Sequence, residues 1–176
     1  MDLKQRPFDV LGQLTALRRY ARSLVRNPND AEDLVHDTLV KAYERRITFR
    51  TGADLRSWLL SILHNTHVDD RRSARAQQRR DDAVLQEAEI SKPADQESVV
   101  RLGQIRNAFY DLPEDQREAL HLVAIEDLSY QDAADALGIP VGTLMSRVSR
   151  ARAKLRAFEN TPASQAHLKL VGGKDD

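Results

Sequence analysis

The sequence predicts an all-α protein made of two small helical domains that a flexible linker joins. Apolar residues recur at helical spacing through most of the chain, and patterns typical of β-strands are nearly absent. The periodicity decays between residues 81 and 98, where Pro93 interrupts an acidic stretch of small residues. We therefore predict domains over residues 1–80 and 99–158, a linker over 81–98 and a disordered tail over 159–176.

The composition excludes several classes of protein. The 176-residue chain contains no cysteine, which excludes disulfides and thiolate metal sites. No run of about 18 apolar residues occurs and the N-terminus lacks the apolar core of a signal peptide, so we expect a cytoplasmic protein without direct membrane insertion. Charged residues make up 31% of the chain, which predicts thin hydrophobic cores.

Three helices are predicted in the first domain. They span roughly residues 8–25, 30–46 and 54–80, each with apolar residues at helical spacing. Trp58 lies on the apolar face of the third helix and is interpreted as a core residue. The far end of that helix carries an acid-free basic block: Arg71, Arg72, Arg75, Arg79 and Arg80.

The second domain is predicted to contain four helices, of which the last two form a helix-turn-helix. Ser129 is placed to cap the third helix, with Asp132 in the position of a capping-box acid. Gly138 stands where a left-handed C-cap requires glycine. Pro140 fits the entry of the fourth helix, because its missing N–H would have no partner there.

The fourth helix of this domain separates its residues by face. Its apolar stripe consists of Val141, Leu144, Val148, Ala151 and Leu155. Its polar and basic face consists of Thr143, Ser146, Arg150 and Lys154, with Arg147 on the flank. Side chains of these types bind phosphates and base edges in the major groove, so this helix predicts DNA binding. A solvated basic helix packed on a small bundle is the alternative interpretation.

The formal net charge is zero, but acids and bases are segregated along the chain. Between Asp111 and Asp135 there are eight acids and one arginine, whereas residues 71–80 and 141–156 contain no acid. Local fields rather than the total charge steer binding. We expect weak DNA binding by the isolated chain, as for a subunit that a larger partner delivers to DNA.

Four local patterns, in this order, resemble the sigma-70 superfamily, specifically the short extracytoplasmic-function (group IV) sigma factors. The resemblance covers about residues 8–158. The patterns are DAEDLVHDT at 30–38 (region 2.2), LRSWLLSILHN at 55–65 (regions 2.3 and 2.4), LPEDQREAL at 112–120 (the opening of region 4) and PVGTLMSR at 140–147 in the helix-turn-helix.

The resemblance implies a set of partners and site residues. The first domain would bind a coiled coil of the largest subunit of core RNA polymerase through Glu32, Asp33, His36 and Asp37. It would open the −10 element of promoter DNA through Asn65, Arg71, Arg72 and Arg75, with the loop at 48–54 nearby. The second domain would bind the β-flap and read the −35 element through Thr143, Ser146, Arg147, Arg150 and Lys154. A dedicated anti-sigma factor is the further partner we expect, in a stress response.

The chain departs from the family pattern at two positions. His36 stands where many relatives carry Gln, which puts one polymerase contact in doubt. Met145 stands where many relatives carry Lys or Arg, and its place near the apolar stripe favours packing. The loop at 48–54 offers only Phe49 and Arg50 for a flipped base.

Other functions have weaker support in the sequence. His64 and His67 share a helix face, but no third ligand is identifiable nearby, so we expect no metal site. We also expect no cofactor, no small-molecule substrate and no enzyme activity, because no phosphate-binding loop or nucleophile–base pair is identifiable. A sigma-like decoy that sequesters an anti-sigma factor without engaging promoters is the main alternative. An ordinary helix-turn-helix repressor would leave the N-terminal half unexplained.

Overall fold

The computed structural model describes residues 8–79 and 97–159, and the side chains of the second range from residue 102 onward. These residues form seven α-helices and two short 3-10 turns, and no strand occurs among them. The predicted all-α fold is confirmed. Arg80, most of the predicted linker at 81–98 and the predicted tail beyond residue 159 lie outside the described residues.

The N-terminal helices are α1 (Leu14–Leu24), α2 (Pro28–Glu44) and α3 (Leu55–Gln78). The Asn27 side chain accepts hydrogen bonds from the N–H groups of Asn29 and Asp30, so α2 begins two residues earlier than predicted. The Asp54 carboxylate caps α3 by accepting from the N–H of Ser57.

The helix predicted from residue 8 begins later, because a 3-10 turn occupies Leu11–Gln13. The Asp9 carboxylate accepts a hydrogen bond from the N–H of Gly12 in this turn, at 3.1 Å. A second 3-10 turn, Arg46–Thr48, follows α2.

The C-terminal helices are α4 (Glu97–Tyr110), α5 (Glu114–Ala124), α6 (Tyr130–Leu137) and α7 (Val141–Glu159). The predicted helix-turn-helix is confirmed as α6 and α7. Ser129 Oγ accepts from the N–H of Asp132 at 3.0 Å, and Gly138 adopts the left-handed conformation with φ 64°. The Asp132 carboxylate accepts from the Ser129 hydroxyl at 2.6 Å, in place of the backbone contact that a capping box makes.

A single hydrophobic core runs through the N-terminal and C-terminal helices. Helix α5 packs against α1, and α6 packs against α3. Each large apolar side chain buried in this way contributes roughly 1.5–3 kcal/mol relative to exposure. The fully buried residues of the core include Leu17, Tyr20, Leu59, Leu63, Leu122 and Leu144.

The predicted apolar stripe of α7 is confirmed for the central residues of the helix, and the prediction is wrong for the first residue. Leu144, Val148 and Ala151 are buried, but Val141 is 38% exposed at the first residue of the helix. Met145 is 52% exposed, so its predicted packing role is wrong. It lies about 100° around the helix from Leu144, which turns its side chain away from the core.

Trp58 packs as predicted, in an aromatic cluster at the start of α3. Its ring centroid lies 5.9 Å from that of Phe8 and 5.2 Å from that of Phe49. Phe49, the one aromatic residue of the loop at 48–54, is therefore engaged with Trp58.

Within the described ranges, no helix has both the length and the apolar character that a membrane crossing requires.

We predict that Gly138→Ala lowers the free energy of unfolding by roughly 1 kcal/mol, because a Cβ is strained at positive φ. Gly142→Ala is the matched control in the next helix. A Cβ there meets no heavy atom within 4 Å, so its stability should be unchanged or slightly raised. Urea unfolding monitored by circular dichroism would measure both variants. Equal stabilities for the two would contradict the left-handed turn.

Candidate nucleic-acid interface

The polar face of α7 lies on the surface of the protein. Thr143, Ser146, Arg150 and Lys154 are exposed, which leaves their side chains open to a ligand. The Ser146 hydroxyl donates to the carbonyl oxygen of Gly142 at 3.1 Å. Arg147 differs from these four: its side chain is only 25% exposed and its Nε lies 3.5 Å from the Asp115 carboxylate of α5.

The predicted −10 residues are distributed along α3. Asn65, Arg72 and Arg75 are exposed, whereas Arg71 is half-buried and forms an ion pair with Glu114 of α5. One arginine from each predicted DNA site is therefore paired with an acid in the first turn of α5.

The acidic face of α2 is also on the surface. Asp33, His36 and Asp37 are exposed. Glu32 is half-buried and accepts a hydrogen bond from Arg18 Nε of α1 at 3.0 Å. Of the four predicted polymerase-binding residues, Glu32 thus forms an ion pair with Arg18 within the protein.

An ion pair that the sequence did not predict, between the partly exposed Arg19 and the buried Glu126, joins α1 to the segment between α5 and α6. Arg19 donates two hydrogen bonds of 2.7 Å to the two carboxylate oxygens of Glu126. The Glu126 side chain is fully buried, and His121 Nε2 lies 3.1 Å from Oε1. This bidentate geometry is the strong form of an arginine–carboxylate contact.

The environment of this pair sets the protonation of its members. Burial alone would raise the pKa of Glu126, but hydrogen bonds from His121 and Arg19 lower it to about 2. Burial lowers the pKa of His121, although the neighbouring carboxylate opposes this. A neutral His121 donating from Nε2 leaves Nδ1 without a proton, and Nδ1 is a buried atom with no hydrogen-bond partner.

Arg117 of α5 binds backbone carbonyl groups at the C-terminal end of α1. Its Nε donates to the carbonyl oxygen of Ser23 at 2.7 Å, and Nη1 donates to those of Tyr110 and Leu112. The Tyr110 hydroxyl donates to the carbonyl oxygen of Arg22 at 2.8 Å. Carbonyls in the last turn of a helix lack intrahelical partners and carry partial negative charge, so a guanidinium and a hydroxyl stabilise them.

Two histidines of α3 face two glutamates of α5. His67 Nε2 lies 2.9 Å from Glu114 Oε1, and His64 Nδ1 lies 3.9 Å from Glu118 Oε1. Burial, with Glu114 nearby, raises the pKa of Glu118 to about 7. Burial lowers the pKa of His64 to about 4. Burial raises the pKa of Glu114, but the hydrogen bond from His67 and the charge of Arg71 bring it below its usual range.

Sequence reasoning missed these contacts between helices, although one signal for them was present. The acidic stretch at 111–135 supplies Glu114, Asp115 and Glu126, whose partners are basic residues elsewhere in the chain. The segregated charges thus pair with one another inside the folded protein. Periodicity within a helix carries no information on which acid meets which base.

Two family models match the chain. Residues 13–77 match the model for sigma-70 region 2, and residues 102–155 match the model for sigma-70, region 4. The two matches cover α1–α3 and most of α4–α7 respectively.

Proteins similar in sequence are described as ECF RNA polymerase sigma factors, and the similarity extends over most of their length. The chain is 40% identical over 150 residues to the ECF RNA polymerase sigma factor EcfG of Rhodopseudomonas palustris (strain TIE-1), covering 85% of this chain and 82% of the relative. It is 36% identical over 127 residues to the ECF RNA polymerase sigma factor SigC of Mycobacterium tuberculosis (strain CDC 1551 / Oshkosh), covering 72% and 69%.

Two solved structures are similar in fold and sequence. The sigma factor RpoE, in complex with the anti-sigma factor NepR from Bartonella quintana, has a TM-score of 0.75 and 39% identity, with 85% of this chain and 93% of that chain covered. CnrH in complex with the cytosolic domain of CnrY has a TM-score of 0.60 and 28% identity, with 84% and 82% covered.

We predict that the ion pair of Glu126 makes stability depend on pH in the acid range. The folded pKa of about 2 lies below the ordinary value of 4.5, so the stabilisation is present above about pH 4.5 and is lost as the pH falls toward 2. The shift corresponds to roughly 3 kcal/mol. Thermal melting between pH 3 and pH 6 should show a smaller acid loss for Glu126→Gln than for the wild type.

The exposed Glu44 of α2 provides the control for this measurement. Glu44→Gln should follow the wild-type profile. If the melting temperature of Glu126→Gln depended on pH as that of the wild type does, the ion pair between Arg19 and Glu126 would be contradicted.

Proposed function

The chain belongs to the extracytoplasmic-function group of the sigma-70 family, and on that basis we propose how its residues engage RNA polymerase and promoter DNA. It is a sigma factor, which partners core RNA polymerase and directs initiation at specific promoters. The observation that carries the proposal is the capped helix-turn-helix with an exposed polar and basic face, in one chain with a region 2 domain.

Helix α7 would read the −35 element. Its exposed Thr143, Ser146, Arg150 and Lys154 offer hydrogen-bond donors to base edges and phosphates. The buried stripe on the other side of α7 holds the helix against α5, which presents this face rigidly.

Helix α3 would contact the −10 element. Exposed Arg72 and Arg75 suit phosphates, and exposed Asn65 suits a base edge. Opening a duplex requires that an unstacked base be captured by contacts worth a few kcal/mol. Phe49 is engaged with Trp58, so the polar Asn65 is the better candidate for such a contact.

The exposed acidic face of α2 would bind core polymerase. Asp33 and Asp37 flank His36 on this surface and suit a basic partner helix, because complementary charge speeds and orients docking. The largest-subunit coiled coil is the proposed partner here, and the β-flap is the proposed partner of the C-terminal helices.

The structure represents a closed arrangement that would have to open at a promoter. Arg71 of α3 pairs with Glu114 of α5, so it is free for a phosphate only when the N-terminal and C-terminal helices separate. Arg147 pairs with Asp115 within the C-terminal helices, so a phosphate would have to displace that contact directly. DNA phosphates would compete with Glu114 and Asp115 for these two guanidinium groups. Most of the predicted linker, at 81–98, lies between α3 and α4, and we propose that it permits the separation of α3 from α5.

We expect an anti-sigma factor to hold this arrangement, as the anti-sigma factor NepR binds the similar sigma factor RpoE. A groove of about 450 Å³ between α1 and the C-terminal helices combines basic and aromatic side chains. Leu102 and Ile105, both exposed, share a face of α4 with Phe109 of the groove. Such a surface suits a helix with apolar and acidic residues. The lining includes Arg18, Arg22, Arg106, Phe109 and Tyr110.

The decoy alternative is not favoured, because the exposed polar face of α7 and the exposed arginines of α3 would have no role in a decoy. As a transcription initiation factor, the chain would act in the cytoplasm on DNA and polymerase, without catalytic activity of its own.

Reconstituted transcription tests the proposed function. The purified chain and core RNA polymerase, incubated with genomic DNA fragments, should give discrete 5′ ends that share −35 and −10 elements. No initiation by a folded chain with an active core would restore the decoy hypothesis.

With the reconstituted polymerase, the promoter affinity of Arg150→Ala can be measured by titration with a promoter fragment. The binding free energy should weaken by roughly 1–3 kcal/mol if the arginine binds a base bidentately. Arg152→Ala is the matched control, since this exposed residue lies about 180° around α7 from Thr143. Equal promoter affinity for the two variants would remove Arg150 from the interface.

Anti-sigma control predicts that more of the chain associates with core polymerase in lysates of stressed cells than of unstressed cells. Leu102→Asp should raise the unstressed association, because an acid on the proposed docking face repels an acidic partner. Ile47→Asp, at another exposed apolar residue, is the control. Equal wild-type association in both lysates would overturn the hypothesis.

A further inference from the structure

A cluster of nitrogen and oxygen donors lies between α3 and α5. One ligand atom from each of His67, Glu114 and Glu118 lies within 4.8 Å of the other two. His67 Nε2 lies 2.9 Å from Glu114 Oε1. His64 adds a fourth donor nearby, with Nδ1 at 3.9 Å from Glu118 Oε1.

The cluster is removed from solvent. His67 is 5% exposed and Glu118 is 6% exposed, and Glu114 is half-buried at the rim. Among the described residues, Nδ1 of the His64 ring lies 3.9 Å from Oε1 of Glu118, which is too long for a hydrogen bond. A buried carboxylate without a hydrogen-bond partner is costly, so this side chain is poised for a ligand that the protein itself does not supply.

We propose that His67, Glu114 and Glu118 bind a divalent transition-metal ion, with Zn²⁺ the best match to the donor set. Imidazole nitrogen and carboxylate oxygen are both zinc ligands, and three protein ligands leave a position for water or for His64. Donors bound to a tetrahedral zinc ion stand about 3.4 Å apart. The present donors, all within 4.8 Å of one another, are close to that spacing.

The neighbours of the cluster orient its ligands. Arg71 pairs with Oε2 of Glu114, which leaves Oε1 directed at His67. The Tyr20 hydroxyl lies 3.5 Å from His64 Nδ1 at the inner side. Partners of this kind fix the orientation of metal ligands and raise affinity.

This site could not be predicted from sequence patterns, because its donors come from two distant segments. His67 and Glu114 are 47 residues apart, and only the packing of α5 near α3 brings them together. The expected absence of a metal site rested on the lack of a third ligand close to His64 and His67 in sequence.

An ion at this position would link the N-terminal helices to the C-terminal helices. Because a ligand that binds one state shifts the equilibrium toward it, the ion would stabilise the closed arrangement. This consequence rests on the proposed function, in which Arg71 must leave Glu114 to reach DNA. The site would therefore make promoter binding sensitive to the metal.

Isothermal titration calorimetry of the tag-free, chelator-treated chain with ZnCl₂ tests the site. We expect one equivalent of Zn²⁺ to bind, and His67→Ala and Glu118→Gln to lower the affinity about tenfold or more. His36→Ala and Glu44→Gln, which remove exposed side chains of the same types, should bind as the wild type does. Circular dichroism would establish that Glu118→Gln, which keeps the side-chain shape, is folded.

Two results would overturn the site: no saturable Zn²⁺ binding by the wild type, or equal affinity in the wild type and both folded cluster variants. The titration uses the chain alone, so its outcome is independent of whether the chain initiates transcription. In reconstituted transcription, Zn²⁺ should reduce initiation by the wild type and spare Glu118→Gln. Binding without that difference would keep the site and overturn its role in closure.

Discussion

The arrangement of the whole molecule depends on one buried carboxylate, that of Glu126. It lies next to Asp127, which turns the chain with φ 56° between α5 and α6, and it is fully buried. A buried charge without a partner is strongly destabilising, so Arg19 of α1 must face this turn for the C-terminal helices to pack. The pair therefore fixes the orientation of the C-terminal helices on α1, in addition to the stabilisation that it contributes above the acid range. Arg117, which donates to the carbonyl oxygen of Ser23, fixes the same orientation at the end of α1.

The same arrangement brings the segregated acids and bases of the chain together. The acids of α5 and its following turn bind Arg19 of α1, Arg71 of α3 and Arg147 of α7, so that two of the proposed DNA-binding arginines are already paired with acids of the chain itself. In a sigma factor paired in this way, Arg71 and Arg147 would become available to DNA only after their ion pairs break. Polymerase and promoter together would then have to supply the free energy that separates α3 from α5. This accounts for the weak DNA binding expected of the isolated chain.

The features that could be predicted from the sequence depend on residues that are close together in the chain. The features that sequence analysis missed are contacts between residues far apart in the chain. The caps at Ser129 and Gly138 are encoded within a few residues of the helix ends that they stabilise, and they predicted these elements to within a few positions. The exposed face of α7 followed from a 3.6-residue period. In contrast, Arg19 and Glu126 are 107 residues apart, and no pattern in either helix indicates that they meet. Met145 shows the limit of periodicity, because one residue beside the stripe was enough to turn it to solvent.

The pairing of Arg71 and Arg147 with carboxylates changes how salt would act on this protein. A lysine or arginine that binds a phosphate normally releases counterions from the DNA, and affinity falls steeply with ionic strength. Here each of these two guanidinium groups would exchange one anion for another, while salt also screens the partly exposed pairs that compete with DNA. The two effects oppose each other. The logarithm of promoter affinity would therefore fall with the logarithm of salt concentration along a shallower line than the number of phosphate contacts implies.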